Sequence, residues 1–220
     1  MKNIQKMDLL LAMYIFCIVT TELMGIKTFP IAQFSWLHLN ASVAIFLFPI
    51  IFTINDIVTE VHGKDRARGM AKIGLITIAL TFVFAWIATS LPPSTRFMGT
   101  EAAFDTVFKS ALRISGASLI AFAIAQATDI LVFTKIRQKL GKKSLWLRNN
   151  VSNFVGQFLD TAIFITLAFY SFGKPFNDNF SFLLGLIIPY WLLKCFMSVI
   201  ETPFVYAGVK WLKGSEKAKQ

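Results

Sequence analysis

The sequence predicts an all-α polytopic membrane protein with six transmembrane helices and cytoplasmic amino and carboxy termini. Three observations carry this prediction. Of the 220 residues, 55% are hydrophobic and only 15% charged, where a soluble domain carries roughly 25% charged residues. The apolar residues fall in long runs broken by short basic segments, the pattern of a helical membrane protein. Finally, sixteen of the 22 Lys and Arg residues lie in four short places: Lys2 and Lys6; Lys64, Arg66, Arg68 and Lys72; Lys135, Arg137, Lys139, Lys142, Lys143 and Arg148; Lys210, Lys213, Lys217 and Lys219. They alternate with pairs of apolar runs, so the positive-inside rule puts them on one side. A net charge of +10 raises nucleic acid as a partner, but its distribution points to the cytoplasmic membrane face instead.

A spanning helix needs about 20 mostly apolar residues, and the chain offers six such stretches. The first covers about 8–27; its lysine-flanked start imitates a signal peptide, but no small-residue cleavage site leads into a polar mature domain. The second, about 41–61, is apolar only to Ile54, then meets Asn55, Asp56 and Glu60, and has Pro49 in its middle. It is therefore expected to be broken or re-entrant. The third, 73–91, is free of charge and reads as a lipid-facing scaffold helix. The fourth, 114–134, carries Gln126 and Asp129; the fifth, about 149–172, carries Asp160; the sixth, 182–209, contains Pro189, Lys194, Glu201 and Pro203 and should kink or tilt. Segments 28–40, 92–109 and 173–181 then lie outside, where the basic residues are Arg96, Lys109 and Lys174. Trp36, Trp86, Trp146 and Trp211 fall toward span ends, as interfacial aromatics do, and 34–39 is expected to lie flat on the outer surface. No loop is long enough for a second domain, so residues 1–220 are expected to form one transmembrane domain. A faint Asp-led similarity around Asp56, Asp129 and Asp160 suggests an inverted three-plus-three repeat.

Charged groups inside these spans are costly, on the order of 2.5 to 3.5 kcal/mol each at a helix centre. The chain nevertheless has Glu22, Asp56, Arg113, Asp129, Asp160, Lys194 and Glu201 within or at the edge of spans. Five acids cannot be neutralised one to one by two bases, so some must face water, share protons or accept hydrogen bonds from a ligand. Glu22, close to the outer end of its span, is expected to snorkel or to pair with Lys27. Glu60 sits beside His62 and Lys64, where a solvated ion pair explains it as well as a site role does. Spacing orders the rest. Asn149, Asn153, Gly156, Gln157 and Asp160 form one helical stripe, as do Ser115, Ser118, Phe122, Gln126 and Asp129, while Asp56 and Glu60 stack four apart. A single polar stripe is commonly interhelical glue; three together indicate a polar cavity.

Cys17 and Cys195 lie in apolar stretches without CxxC or Cys/His spacing, so neither a disulfide framework nor a zinc site is expected. His38 and His62 are at span borders and read as interfacial. No phosphate loop, HExxH or GxSxG motif occurs, and no nucleophile has a base at a recognisable spacing. The chain is accordingly expected not to be an enzyme and to use no metal or cofactor. A cavity of carboxylates, amides and aromatic rings suits a small polar or cationic solute. A guanine-like edge fits it well: a carboxylate accepts the ring N–H and exocyclic amine, an amide or cation donates to the carbonyl oxygen, and an aromatic ring stacks. The residues alone do not choose the base.

Several stretches also resemble a known family. The segment 48–68, with Phe48-Pro49, Asp56, Gly63 and Ala67-Arg68, is similar to a shared pattern of the bacterial queuosine-precursor transporters, also called the vitamin-uptake-like transporter family. Further similarity lies in Arg113-Ile-Ser-Gly-Ala-Ser118, Gln126-Ala-Thr-Asp129-Ile-Leu-Val-Phe133, Asn153-Phe-Val-Gly-Gln157-Phe-Leu-Asp160-Thr-Ala-Ile-Phe164 and Lys194. The resemblance runs in order from about 46 to 209. It implies a multi-pass protein of the inner membrane that takes up 7-deazaguanine bases, the 7-cyano and 7-aminomethyl forms, for queuosine salvage into tRNA; some relatives are thought to take queuine or the nucleoside. The substrate-binding residues it implies are Asp56, Arg113, Gln126, Asp129, Asn153, Gln157, Asp160 and Lys194, while Glu60 and Glu201 lie outside the shared motifs. The partners are then the small-molecule base and the bilayer, with no nucleic acid bound directly. Monomer and dimer, and proton coupling and facilitated diffusion, fit the sequence equally. The alternative from another class is the substrate-binding membrane subunit of an energy-coupling-factor importer. Such subunits often dock their partner through Ala-x-x-x-Ala on the first helix, whereas here Ala12 is followed four residues later by Phe16.

Overall fold

The computed structural model describes residues 5–34, 38–140 and 145–216, and for 125–140, 145–153, 197–200 and 215–216 the backbone alone. In order it contains α1 (Lys6–Met24), β1 (Thr28–Gln33), β2 (His38–Ser42), a 3₁₀ turn (Val43–Phe46), α2 (Phe48–His62), α3 (Lys64–Ala88), α4 (Glu101–Leu140), α5 (Leu145–Phe169), α6 (Phe176–Ile200) and α7 (Thr202–Glu216). Among the described residues, five helical stretches are long and apolar enough to cross a membrane: Lys6–Met24, Val43–His62, Lys64–Ala88, Glu101–Ile124 and Phe176–Phe196. The described part of the remaining expected span, Phe154–Phe169, is an apolar helix of shorter length. The protein is thus an all-α polytopic membrane protein that carries one small two-stranded sheet, β1–β2.

The chain divides into two compact units. The first comprises Met1–Lys27, Ser42–Leu112 and Phe196–Gln220. Its core joins Leu10, Tyr14, Cys17 and Ile18 of α1, Ile51, Ile54, Ile57 and Val58 of α2, Met70 of α3 and Leu212 of α7. On α1 these residues recur at helical spacing, while Leu9, Met13 and Phe16 on the other faces are exposed. A helix apolar all round is what a lipid solvent selects. Exposed Ile73, Ile76, Leu80, Val83, Phe84 and Ile87 likewise form an apolar face along α3, in agreement with a lipid-facing scaffold helix. Glycine permits the closest approaches. A Cβ on Gly74 would lie 2.7 Å from Ile18 Cδ1, and one on Gly208 would collide with the Ile57 side chain.

Pro49, expected in the middle of a span, instead stands in the first turn of α2, where its missing N–H costs nothing; the break precedes it, at Leu47. Gly63 alone separates α2 from α3 and takes φ 83°, a region that disfavours other residues. Glu201 forms a bend, not a kink within one helix, so the expected sixth span is two helices, α6 and α7.

The second unit comprises Thr28–Ala41 and Arg113–Cys195. Segment 28–40 was expected as an outer loop with 34–39 flat on the surface, but residues 28–33 and 38–42 pair as strands. β2 abuts α6 so closely that a Cβ on Gly185 would strike the His38 carbonyl oxygen. The turn leading into α6 is held by buried Asn179. Its Oδ1 accepts from Ser171 N at 2.9 Å, and its Nδ2 donates to Ser171 O at 2.8 Å and Lys174 O at 3.1 Å. Pro189 is accommodated inside a continuous α6, although its ring removes the helical donor for the Gly185 carbonyl.

Candidate functional site

The described polar residues within the spans form two groups, one in each unit. In the second unit the polar stripe of α5 turns toward α6. Gly156, Gln157 and Asp160 are partly buried, whereas Phe154, Val155 and Phe158 are exposed. One turn further, Thr161, Ile165 and Ala168 continue the stripe into the core at 2% exposure or less. From α6, Lys194 meets this stripe: its Nζ donates to Asp160 Oδ2 at 2.7 Å. The Lys194 side chain is 19% exposed and that of Asp160 is 36% exposed, so the protein encloses the pair only in part. Gln157 lies one turn before Asp160, and its Oε1 is 4.0 Å from Cys195 Sγ, a weak contact at most.

Trp191 lies one turn before Lys194 on α6 and was not singled out from the sequence. Its Nε1 donates to the Phe154 carbonyl at 3.3 Å. Its ring meets Phe154 and Phe158 edge to face, with centroids 4.4 and 5.3 Å away. An indole fixed by a hydrogen bond and two rings thus stands one helical turn before the lysine of the ion pair. The available signal was its spacing of three from Lys194 within an apolar span. The hydroxyls of Ser115, on the predicted α4 stripe, and of Thr161 are buried without a hydrogen-bond partner among the described residues. Such a group is costly in an apolar medium.

Arg113 does not join Asp160. Its Nε donates to Leu167 O at 3.1 Å and its guanidinium also reaches the Tyr170 carbonyl. These are carbonyls of the last turn of α5, which lack helical donors and carry the negative end of the helix dipole. Arg113 thus ties α4 to the end of α5. Gln126, Asp129 and Asn153 lie outside the residues whose side chains are described.

In the first unit, Asp56 on α2 is exposed, and the carboxyl of its neighbour Glu201 is buried at 6% exposure. Sequence reasoning left Glu201 outside the site; only its position ahead of Thr202-Pro203 hinted at a helix break. Next to Asp56, Asn55 is half-buried, and Tyr14 of α1 belongs to the core of this unit. Glu22, expected to snorkel or to pair with Lys27, is buried at 5% exposure. No group of three or more His, Cys, Asp or Glu suited to a metal occurs among the described residues.

Comparison with known proteins agrees with this architecture. A "Probable queuosine precursor transporter" of Bacillus subtilis is 30% identical over 205 residues, covering 92% of this chain and 84% of that protein. A protein of the same name from Haemophilus influenzae is 29% identical over 155 residues, 70% of this chain and 61% of that one. The "Queuosine precursor transporter" of Escherichia coli is 29% identical over 128 residues, 57% and 53% of the two chains. No solved structure matches significantly. Residues 42–208, most of the chain and all of the polar positions above except Tyr14 and Glu22, match the family described as "Putative vitamin uptake transporter", and the chain belongs to that family.

Proposed function

We propose that this protein imports 7-deazaguanine bases, such as the 7-cyano and 7-aminomethyl forms, across the inner membrane for queuosine salvage. The names of its relatives point to queuosine precursors, and the observation that carries the chemistry is the Asp160–Lys194 pair at 2.7 Å. The hydrogen-bonding edge of a guanine presents two adjacent donors and one carbonyl acceptor. An aspartate beside an ammonium is the complement of that edge. In the structure the two groups satisfy each other. With base bound, Asp160 accepts from the ring N–H and exocyclic amine, Lys194 donates to the carbonyl oxygen, and Trp191 offers a stacking face. Gln157 lies on the same stripe, and Asn153, Gln126 and Asp129 extend the site. Arg113, engaged by the end of α5, supports transport without touching the base, as does Asp56 in the first unit.

In this reading residues 1–220 form one transport domain with six spans and both termini in the cytoplasm. The contact of Lys6, at the start of α1, with Trp211 of α7 supports a common side for the two ends: its Nζ donates to the Trp211 carbonyl at 2.5 Å and lies 4.8 Å from the ring centroid. The test uses a strain unable to make the precursors, with this gene as the only uptake route. Supplying each base should restore queuosine in tRNA for at least one of them; no restoration by any base would overturn the substrate assignment.

A further inference from the structure

Thr161 follows Asp160 on α5 and is 2% exposed. A threonine or serine inside a helix can donate its hydroxyl to the carbonyl four residues back, which satisfies it without any outside partner. Thr59, Thr77, Thr81, Thr106 and Ser110 all do so, at 2.7 to 2.9 Å. Thr161 does not: its Oγ1 is buried and has no hydrogen-bond partner among the described residues. The hydroxyl thus stands unsatisfied where that is most costly, on the residue next to the carboxylate that meets Lys194. A buried polar group kept in this condition calls for a partner outside the fold. Ser115 Oγ of α4 is also buried and unpartnered among the described residues. It lies two residues after Arg113, however, whose bonds are to the Leu167 and Tyr170 carbonyls, and so stands at the level of the last turns of α5.

We propose that Thr161 reads the substituent at position 7 of the base, an inference that rests on the transport reading above. A base whose hydrogen-bonding edge meets Asp160 and Lys194 carries position 7 on the side of its carbonyl group. Consecutive helical residues diverge by about 100°, so the neighbour of Asp160 serves that side while Asp160 holds the edge. A hydroxyl both donates and accepts. It donates to the nitrogen of a cyano group and accepts from the ammonium of an aminomethyl group, so one residue serves both forms; a carboxylate would suit the second alone and an ammonium the first alone. Unsubstituted 7-deazaguanine gains nothing from it and is taken up less well.

The test measures half-saturation for 7-aminomethyl-, 7-cyano- and unsubstituted 7-deazaguanine in liposomes with wild type, Thr161→Val and Thr161→Ser. Thr161→Val should raise it about tenfold or more for the aminomethyl form, where the bond is charge-assisted, and about three- to tenfold for the cyano form. The unsubstituted base should stay within about twofold, and Thr161→Ser should keep the wild-type order. Thr161→Val should also unfold no earlier on heating, because it removes an unsatisfied hydroxyl. An equal rise for all three bases, no rise for the two substituted ones, or earlier unfolding of Thr161→Val would overturn the assignment and leave the transport reading in place. Wild type that takes up neither substituted base would overturn both.

Discussion

Replacing Asp160 by Asn keeps the shape of the side chain and removes its charge. At 2.7 Å from Lys194 Nζ the gross attraction is about 6 kcal/mol at an effective dielectric of 20, most of it offset by desolvation. Exposed pairs contribute about 0–1 kcal/mol and breaking buried ones costs about 3–5. With Asp160 36% and Lys194 19% exposed, a loss of about 1–3 kcal/mol in stability is expected. Binding should suffer independently. In the proposed binding mode the carboxylate would make two charge-assisted hydrogen bonds to the base, each of about 1.5–3 kcal/mol, where the Asn amide sets a donor against a donor. A loss of about 3 kcal/mol is about a hundredfold in affinity. Initial-rate uptake of labelled base well below half-saturation reads this directly. A cycle with Lys194→Gln and the double variant should show coupling of about 1 kcal/mol or more, because each single change strands the other group. Asp160→Asn within about threefold of wild type at equal expression, or strict additivity in the cycle, would refute the reasoning.

Arg113→Gln removes charged donors from two α5 carbonyls and should cost about 1.5–3 kcal/mol of stability. It should lower the unfolding temperature in detergent while leaving half-saturation unchanged; a raised half-saturation with normal stability would put Arg113 on the substrate. Asn179→Ala strips the 171–175 turn of its side-chain bonds and should cost about 2–3 kcal/mol, seen as earlier unfolding on heating. Gly185→Ala drives a Cβ onto the backbone of β2 and should cost about 1–3 kcal/mol, whereas Gly69→Ala meets nothing within 4 Å and should be neutral or slightly stabilising. Folded yield by fluorescence-detected chromatography ranks the two, and equal yields would contradict the close approach.

The helices were legible in the sequence because lipid leaves its mark on composition, but their ends were less so. α4 begins at Glu101, well before the expected start at 114, with Asp105 and Lys109 paired at 2.6 Å four residues apart. Hydropathy detects what can lie in lipid, not what is helical, so a charged first stretch of helix was read as loop. The β1–β2 sheet escaped because its support is remote: Gly185 is far along the chain from His38, and Pro30 weakens the local strand signal. The polar stripe of α5 was visible from spacing alone, and Lys194 was found by its cost in an apolar run. Its pairing with Asp160 joins residues 34 apart in sequence, which periodicity cannot reveal. Arg113 showed the converse limit: spacing marked it as polar in a span, but the carbonyls it serves become available only where α5 ends.

The central claim, that this chain by itself moves 7-deazaguanine bases across a bilayer, is tested most directly by reconstitution. Purified protein in liposomes, given labelled 7-aminomethyl- or 7-cyano-7-deazaguanine, should show saturable uptake that unlabelled base competes and that Asp160→Asn depresses. Uptake no faster than into empty liposomes for either base, or uptake that appears only when an ATP-driven partner is added, would contradict it.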